Sequence, residues 1–241
     1  MGAALTWYAT TSSTNDRAME AATSGAAHGT VVVADTQTSG RGRLGRVWQS
    51  PAGAGLYVSA IVMAPGGVVP LLPLAAGVAL AEGVRAGAGL DVQLKWPNDI
   101  WVDGRKLGGI LAEAVSVQAE PSTVVLGFGL NLDAAALPPE VAGLATSLEI
   151  ELGRRADRGV LLAECLAALE RSVNALRDGR AGEVLAAWRR LAAPLMGRRV
   201  EWDSLEGVRE GRAAGIGDDG ALLVDTPTEV VQLRAGEVRW R

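Results

Sequence analysis

The stretch Gln37-Thr-Ser-Gly-Arg-Gly-Arg-Leu-Gly-Arg-Val-Trp48 places three glycines and three arginines between Gly40 and Arg46. Glycine lets backbone N–H groups approach a ligand closely, and the arginine guanidinium is a fixed fork of donors suited to carboxylate or phosphate. The chain as a whole has a formal net charge of -4, so this cationic cluster is local. We predict a loop that closes over an anion; a solvated basic loop is the alternative.

The same stretch contains the string G-x-G-x-x-G, at Gly40, Gly42 and Gly45, which is typical of dinucleotide-binding folds. In those folds the string follows a strand and begins a helix. A strand is predicted at 30–35, but the residues after Trp48 are rich in proline and glycine and lead into a second strand at 56–62. Because the pattern predicts no helix there, we do not expect a Rossmann fold.

Composition limits the class of protein. The chain has 241 residues, 49% hydrophobic and 21% charged, which suits one large domain or a medium domain with a small appendage. The apolar segment 68–84 contains prolines, glycines and Glu82, so we expect no membrane partner. The N-terminus lacks signal-peptide features, and the mildly acidic balance argues against nucleic-acid binding. We therefore expect a soluble, cytoplasmic protein.

Single cysteine and histidine residues restrict the chemistry. One Cys and one His make a zinc site or a Cys–His nucleophile pair a poor explanation of this chain. Cys165 lies in a helical apolar pattern, so we interpret it as a core residue.

The hydrophobic patterns predict an α+β fold with two domains. Residues 1–193 contain strands near 5–9, 30–35, 56–63, 92–96, 109–117 and 124–132, a hairpin at 100–107, and helices near 14–24, 73–85, 157–176 and 181–192. The second of these helices is expected to end at Gly87 and Gly89. Residues 194–241 contain five short strands separated by Gly and Asp turns, which predicts a small β-barrel docked on the larger domain.

Two further segments suggest a binding site. Lys95-Trp-Pro-Asn-Asp99 follows a buried strand, and Pro97 directs Asn98 and Asp99 toward the strand ends. Lys106 alone reads as a solvated hairpin lysine, but Gly108 and Gly109 follow it, and paired glycines in a strand often mark close approach of a ligand. The glycines of Gly127-Phe-Gly-Leu-Asn131 indicate either such an approach or a β-bulge.

In this order and spacing, the motifs resemble those of the biotin–protein ligase family, in a short form. They are Ser13-Thr-Asn15, Gly40-Arg-Gly-Arg-Leu-Gly-Arg-Val-Trp48, Lys95-Trp-Pro-Asn-Asp99, Arg105-Lys-Leu-Gly-Gly-Ile-Leu111 and Gly127-Phe-Gly-Leu-Asn131. The resemblance covers essentially the whole chain. It implies a mixed sheet flanked by helices, similar to class II aminoacyl-tRNA synthetases, and a C-terminal barrel similar to Src-homology-3 domains.

The family reaction has two steps in one site. Biotin and ATP, with Mg²⁺, give biotinyl-5′-AMP, and the biotinyl group then passes to a lysine of a biotin carboxyl carrier protein. The resemblance implies no enzyme nucleophile, so catalysis depends on positioning and charge neutralisation. Only a short segment precedes Ser13, so we expect no DNA-binding module and no DNA partner; a homodimer stays open.

The resemblance also implies residue roles. Lys106 and Arg43 are the expected catalytic residues, and the motifs name no magnesium ligand. The expected biotin-binding residues are Ser13, Thr14, Asn15, Gln37, Gly40, Arg41, Gly42, Arg43, Lys106 and Gly109. The expected nucleotide-binding residues are Arg41, Arg43, Trp48, Lys95, Asn98, Asp99, Lys106 and Asn131.

Two other functions are compatible with parts of this pattern. Lipoate ligases share the fold, but the resemblance does not extend to them at the Gly-Arg-Gly-Arg loop and the Lys-Trp-Pro-Asn-Asp string, which they lack in this form. A non-catalytic module that only holds biotin would not need the two cations Lys106 and Arg43, because the biotin rings are neutral.

Overall fold

The computed structural model describes residues 1–116, 120–137, 139–141, 143–205 and 207–241. The helices are α1 (Thr14–Thr23), α2 (Leu72–Ala88), α3 (Leu148–Leu152), α4 (Arg158–Arg177) and α5 (Ala181–Ala192). The strands are β1 (Leu5–Thr11), β2 (Val31–Gln37), β3 (Gly55–Ala64), β4 (Gln93–Lys95), β5 (Asp99–Val102), β6 (Arg105–Ser116), β7 (Ser122–Asn131), β8 (Arg199–Ser204), β9 (Gly207–Ile216), β10 (Leu222–Asp225), β11 (Val230–Leu233) and β12 (Val238–Trp240). The α+β class predicted from the sequence is confirmed.

A seven-stranded mixed sheet forms the larger part of the molecule, in the order β1-β2-β3-β7-β6-β5-β4. Strands β1 and β2 are parallel, and the other neighbours are antiparallel. The predicted hairpin between β5 and β6 is confirmed: Asp103 and Gly104 have φ of 46° and 83°, as a type I′ turn requires. The prediction of a separate strand starting at Gly109 was wrong, since β6 runs unbroken from Arg105. The turn predicted at 118–122 lies partly outside the described residues.

Alternating side chains of the sheet pack against helices on both faces. Val31, Val33 and the even-numbered residues of β3 face the side covered by α2, α4 and α5. Val32 and Ile61 face the other side, with α1. The period of two along each strand therefore places one apolar row in each layer.

Helix α2 is the central core helix. Together with the preceding 3₁₀ turn it spans Gly66–Ala88, which is long and apolar enough to cross a membrane. However, 67% of its apolar 18-residue window is buried inside the protein. The expectation that Gly87 ends the helix was wrong. Gly87 lies within α2, against Leu161 of α4, and the left-handed Gly89 at φ 76° ends the helix.

Gly83 of α2 also faces α4. A Cβ on Gly83 would lie 2.7 Å from Cα of Cys165, so the two helix backbones touch at this point. Cys165 is fully buried, and burial raises the pKa of its thiol to about 12. It is a core residue, as predicted.

Strands β8 to β12 form a five-stranded antiparallel sheet in the order β11-β10-β9-β8-β12. The last strand pairs with the first, as in the small barrel predicted. Its core residues, among them Val200, Trp202 and Ile216, belong to the same hydrophobic cluster as α2 and α5. The Trp96 indole N–H also donates a 3.0 Å hydrogen bond to the carbonyl of Gly220. The small sheet is therefore docked on the larger one.

Candidate active site

Most of the predicted site residues meet in one pocket between α1, β6, β7 and residues 37–48, which we call the glycine–arginine loop. The pocket has a volume of ≈ 50 Å³. Its lining includes Ser13, Thr14, Asn15, Gln37, Arg41, Trp48, Asn98, Lys106, Gly109, Gly127 and Gly129.

Glycines of β6 and β7 form the floor of this pocket. A Cβ on Gly127 would overlap the Asn15 amide oxygen, and a Cβ on Gly129 would lie 2.5 Å from the Trp48 indole nitrogen. A Cβ on Gly109 would approach Nζ of Lys106 at 3.3 Å. Strand β7 keeps its register with β3 through this region, so the bulge interpretation of its glycines is wrong.

The start of α1 supplies hydrogen-bonding groups to one end of the pocket. The Ser13 hydroxyl caps the helix by accepting from the Asn15 N–H at 3.2 Å. The backbone N–H of Thr14 donates to Oε1 of Gln37 at 2.8 Å, and Nε2 of Gln37 donates to the Ser50 hydroxyl at 2.8 Å. These contacts fix the Gln37 amide against the helix N-terminus.

Ser59 of β3 is a site residue that the sequence reasoning missed. Its buried hydroxyl lies 2.5 Å from Oδ1 of Asn15 and 2.8 Å from the Thr14 hydroxyl. In the sequence it is an ordinary serine within an apolar strand, so no local signal marks it.

An ion-pair cluster holds the glycine–arginine loop to the rest of the site. Nη2 of Arg41 lies 2.8 Å from Oδ1 of Asp16 and 2.7 Å from Oε2 of Glu113. The same Glu113 oxygen accepts from Nδ2 of Asn15 at 2.7 Å. Glu113 was missed because its two partners are 72 and 98 residues away in the chain. The only feature of the sequence that points to Glu113 is its position shortly after the Gly-Gly-Ile-Leu run.

Two lysines share the carboxylate of Asp99. Nζ of Lys106 lies 2.6 Å from Oδ1, and Nζ of Lys95 lies 3.8 Å from Oδ2. Burial lowers the pKa of Lys95, while the Asp99 charge raises it. Lys106 lines the pocket and is ion-paired, while 34% of its side chain is exposed, so it is only partly the solvated hairpin lysine of the alternative.

Arg43 and Arg46 extend from the loop toward the small sheet. Arg43 donates to Oδ1 of Asn98 at 3.3 Å and to the carbonyl of Gly236 at 3.4 Å, and Arg46 is ion-paired with Glu237. Burial lowers the pKa of Arg43, which still stays charged at neutral pH. The turn before β12 thus touches the loop, which the sequence did not predict.

The indole of Trp48 occupies part of the pocket. It lies against Gly129, and Nζ of Lys106 is 5.4 Å from its ring centroid. Its buried Nε1 has no hydrogen-bond partner among the described residues. The glycines allow the two arms of the loop to lie this close together. A Cβ on Gly40 would overlap the Trp48 carbonyl, and a Cβ on Gly42 would lie 3.3 Å from the Arg46 carbonyl.

Six of the predicted site residues do not line this pocket: Gly40, Gly42, Arg43, Lys95, Asp99 and Asn131. The Asn131 side chain is buried and donates to the carbonyl of Thr146 at 3.0 Å. The segment around Thr146 also contacts the backbone of Lys106. The Lys106 N–H donates to the Leu144 carbonyl, and the Lys106 carbonyl accepts from the Thr146 N–H.

Within the described ranges, no group of three or more His, Cys, Asp and Glu residues is placed to hold a metal ion. The chain therefore offers no protein cage for a resident metal in that part of the structure.

Residues 7–131 match the sequence profile of the biotin/lipoate A/B protein ligase family, and residues 195–239 match that of the biotin protein ligase C-terminal domain. The chain belongs to the biotin/lipoate A/B protein ligase family. Among relatives in this family, it is 40% identical to a biotin–[acetyl-CoA-carboxylase] ligase of Mycobacterium tuberculosis, covering 95% of this chain and 86% of the relative. It is 34% identical to the bifunctional ligase/repressor BirA of Bacillus subtilis, over 99% and 74% of the two chains.

A solved structure of the same family has a similar fold. The biotin protein ligase of Aquifex aeolicus, in complex with biotin and ATP, superposes with a TM-score of 0.85 at 28% identity, over 99% of each chain. The predicted resemblance to biotin–protein ligases is thus confirmed at the level of the family.

Proposed function

We propose that this protein is an ATP-dependent biotin–protein ligase, which makes biotinyl-5′-AMP and transfers biotin to a lysine of a biotin carboxyl carrier protein or domain. The observation that carries the proposal is that all five sequence motifs contribute residues to the lining of one pocket, among them Lys106. The similarity to the biotin ligases of M. tuberculosis and A. aeolicus supports the choice of biotin as substrate.

In the first step, a biotin carboxylate oxygen attacks the α-phosphorus of MgATP. A P–O bond forms, the bond to the pyrophosphate oxygen breaks, and pyrophosphate leaves. The two reactants are both anionic, so the site has to bring like charges together. Lys106 and Arg43 provide the neutralising cations in this proposal, and Arg41 and Lys95 add to the positive field. A magnesium ion bound to the triphosphate would neutralise part of the phosphate charge, and the motifs name no residue that would hold it.

In the second step, the neutral amine of the carrier lysine attacks the carbonyl of the mixed anhydride. A C–N bond forms, the C–O bond to AMP breaks, and AMP leaves. The site needs no nucleophile of its own, so it acts by holding the adenylate in the right orientation.

The remaining site residues divide between the two ligands in this proposal. The polar groups at the start of α1 suit the ureido head of biotin, which needs both donors and acceptors. The biotin side comprises Ser13, Thr14, Asn15, Gln37, Gly40, Gly42 and Gly109. The nucleotide side comprises Trp48, Lys95, Asn98, Asp99 and Asn131.

We also propose a domain boundary between residues 193 and 194, because α5 ends at Ala192 and the first strand of the small sheet begins at Arg199. A cytoplasmic location fits the single buried, reduced cysteine. A homodimer stays open, and the exposed Leu5 and Trp7 on the edge strand β1 would be a surface for it. We propose no DNA or membrane partner.

The proposal is tested by mass spectrometry of a purified biotin carboxyl carrier domain incubated with the protein, biotin and MgATP. We expect the gain of one biotinyl group on one lysine, accompanied by pyrophosphate. A lipoyl-domain acceptor with lipoate serves as the control. Modification of the lipoyl domain alone would assign the protein to the lipoate ligases, and biotin binding without transfer would make it a binding module.

A further inference from the structure

The amide of Asn15 is held by protein groups at both of its ends. Its Nδ2 donates to Oε2 of Glu113 at 2.7 Å and to the Leu111 carbonyl at 3.5 Å. Its Oδ1 accepts from the Ser59 hydroxyl at 2.5 Å. Asn15 is only 4% exposed, so these neighbours, and not water, determine how the amide is oriented.

Glu113 is the neighbour that selects the orientation of this amide. The oxygen and nitrogen ends of an Asn side chain have nearly the same shape, so hydrogen bonding has to distinguish them. A serine hydroxyl both donates and accepts, and Ser59 would therefore suit either end. An ionised carboxylate only accepts, so Glu113 binds the nitrogen end and leaves Oδ1 facing Ser59. The Leu111 carbonyl favours the same orientation from a longer distance.

This orientation affects the end of the pocket where the head of biotin is proposed to bind. The Ser59 hydroxyl has one hydrogen and two neighbouring acceptors, Oδ1 of Asn15 at 2.5 Å and the Thr14 hydroxyl at 2.8 Å. With Oδ1 facing Ser59, the hydrogen goes to Asn15; with the amide reversed, only Thr14 could accept it. Because Thr14 lines the pocket, the donors and acceptors that the pocket offers depend on the Asn15 amide.

The same oxygen of Glu113 also holds the glycine–arginine loop. Oε2 lies 2.7 Å from Nη2 of Arg41, and a carboxylate oxygen can accept from two donors at once. Asp16 lies 2.8 Å from the same Nη2, but within the described part of the chain its side chain makes no hydrogen bond with Asn15. Both ion pairs are partly exposed, so each by itself stabilises the loop only weakly.

We propose that Glu113 is a positioning residue for biotin, because one of its oxygen atoms sets both the Asn15 amide and the Arg41 guanidinium. The inference rests on the proposed function and deepens it. The polar end of the pocket and the loop beside it are placed together, so biotin binds a preorganised site. Among the described residues, no hydrogen bond or ion pair joins Glu113 to Lys106 or Arg43, so the charge neutralisation of the first step does not depend on it.

The test compares pyrophosphate release from biotin and MgATP by the parent protein and by Glu113→Gln. Glutamine keeps the length of the side chain, but it is neutral, and its NH₂ end donates where the carboxylate accepts. We expect the KM for biotin to rise about 10- to 100-fold, the order of one charge-assisted hydrogen bond. The kcat and the KM for MgATP should stay within about twofold of the parent, since the cations are untouched. A residue needed only for folding would lower the active fraction, and therefore kcat, without changing the KM for biotin.

Asp16→Asn is the matched control, because it removes a carboxylate that has the same Arg41 partner and a similar exposure. It should raise the KM for biotin by about fivefold or less, the order of one exposed ion pair. Equal effects of the two variants would overturn the proposal, since Glu113 would then be only a second anchor of the loop. Glu20→Gln, which alters an exposed carboxylate of α1 paired with Arg17, should change neither constant.

Ser59→Ala keeps the proposal testable if Glu113→Gln does not fold. This variant removes the hydroxyl that faces Oδ1 of Asn15 and leaves both ion pairs of Arg41 in place. It should raise the KM for biotin about two- to tenfold, the order of one neutral hydrogen bond, with kcat unchanged. An unchanged KM would overturn the proposal.

Biotin binding, measured by calorimetry, separates this inference from the proposed function. A parent protein that binds biotin but releases no pyrophosphate would contradict the proposed function alone. The same variants are then compared by their affinity for biotin, with the same expected order of effects. A parent protein that binds no biotin would overturn both.

Discussion

Single residues give the site its depth and its charge. Gly127 and Gly129 leave room on the sheet for the Asn15 amide and the Trp48 ring, which a methyl group at either position would displace. The ammonium of Lys106 lies beside these glycines in the pocket. The role proposed for it is to bring the biotin carboxylate and the α-phosphate together, which is a function of charge and not of packing.

Lys106→Ala should therefore leave the fold intact and impair adenylation. The strand keeps its backbone pairing, while the reaction loses a contact worth about 2–4 kcal/mol in the transition state, or roughly 30- to 1,000-fold in rate. Pyrophosphate release from biotin and MgATP measures this. Arg85→Ala, which removes an exposed cation paired with Asp91 at the surface, is the control and should leave the rate unchanged. Pyrophosphate release close to the parent rate would contradict the role of Lys106.

Site residues that carry a motif could be predicted from the sequence, and those defined by long-range contacts could not. Lys106 stands beside a pair of glycines, and Arg41 stands in a cluster of glycines and arginines, so composition alone marks both. Glu113 and Ser59 carry no such mark. Their roles arise only when β6 and β3 are brought against the start of α1. Asn131 carries a motif too, but the bond from its amide to the Thr146 carbonyl is a long-range contact that the motif does not predict.

At the scale of elements, the close approach of α2 and α4 positions the sheet's main helical layer. Gly83 and Gly87 allow the approach because they have no side chain. The backbone of α4 at Cys165 and Leu161 occupies the space that a side chain would fill. This explains why Gly87 was wrongly predicted to end the helix together with Gly89: a glycine near a helix C-terminus resembles a cap in sequence, and only the packed neighbour shows that Gly87 serves helix packing. The hairpin turn, in contrast, was predictable because Asp103-Gly104 encodes its own geometry.

Gly83→Ala should destabilise the protein by about 1–3 kcal/mol, the usual cost of overpacking. The added methyl would lie 2.7 Å from Cα of Cys165, which is backbone and cannot rotate away. Urea unfolding measures the change. Gly182→Ala in α5 is the matched control, because the described residues leave open space around it, and it should stabilise the helix by about 0.5–1 kcal/mol. Equal effects at both positions would contradict the packing argument.

At the scale of the whole molecule, a continuous hydrophobic cluster joins the large sheet, helices α2, α4 and α5, and the small sheet. The loop contacts of Arg43 and Arg46 with the turn before β12 reinforce this connection. We expect the two parts to unfold together. The single histidine lies in the large part, where Nδ1 of His28 accepts from the Met63 N–H at 3.0 Å and Nε2 lies 3.4 Å from Nη1 of Arg177.

The pH dependence of stability should contain a contribution from His28. Burial lowers its pKa, the charges of Arg177 and the N-terminal amine lower it further, and Glu170 opposes them. The unfolded chain, with a His pKa of about 6.5, therefore binds the proton more readily than the folded protein. The contribution is complete above about pH 6.5 and is lost as the pH falls below that value toward the folded pKa. His28→Gln should lose less stability than the parent between about pH 7.5 and pH 5, by urea unfolding. Parallel pH profiles would refute this.

The indole of Trp48 has a consequence for the closed arrangement of the loop. A buried N–H without a partner costs about 1–3 kcal/mol. The two ion pairs of Arg41, on partly exposed side chains, return about 0.2–1 kcal/mol each. The indole is therefore the part of the closed loop that gains least from its position, and a ligand group that accepts its N–H would remove this cost and favour the closed arrangement.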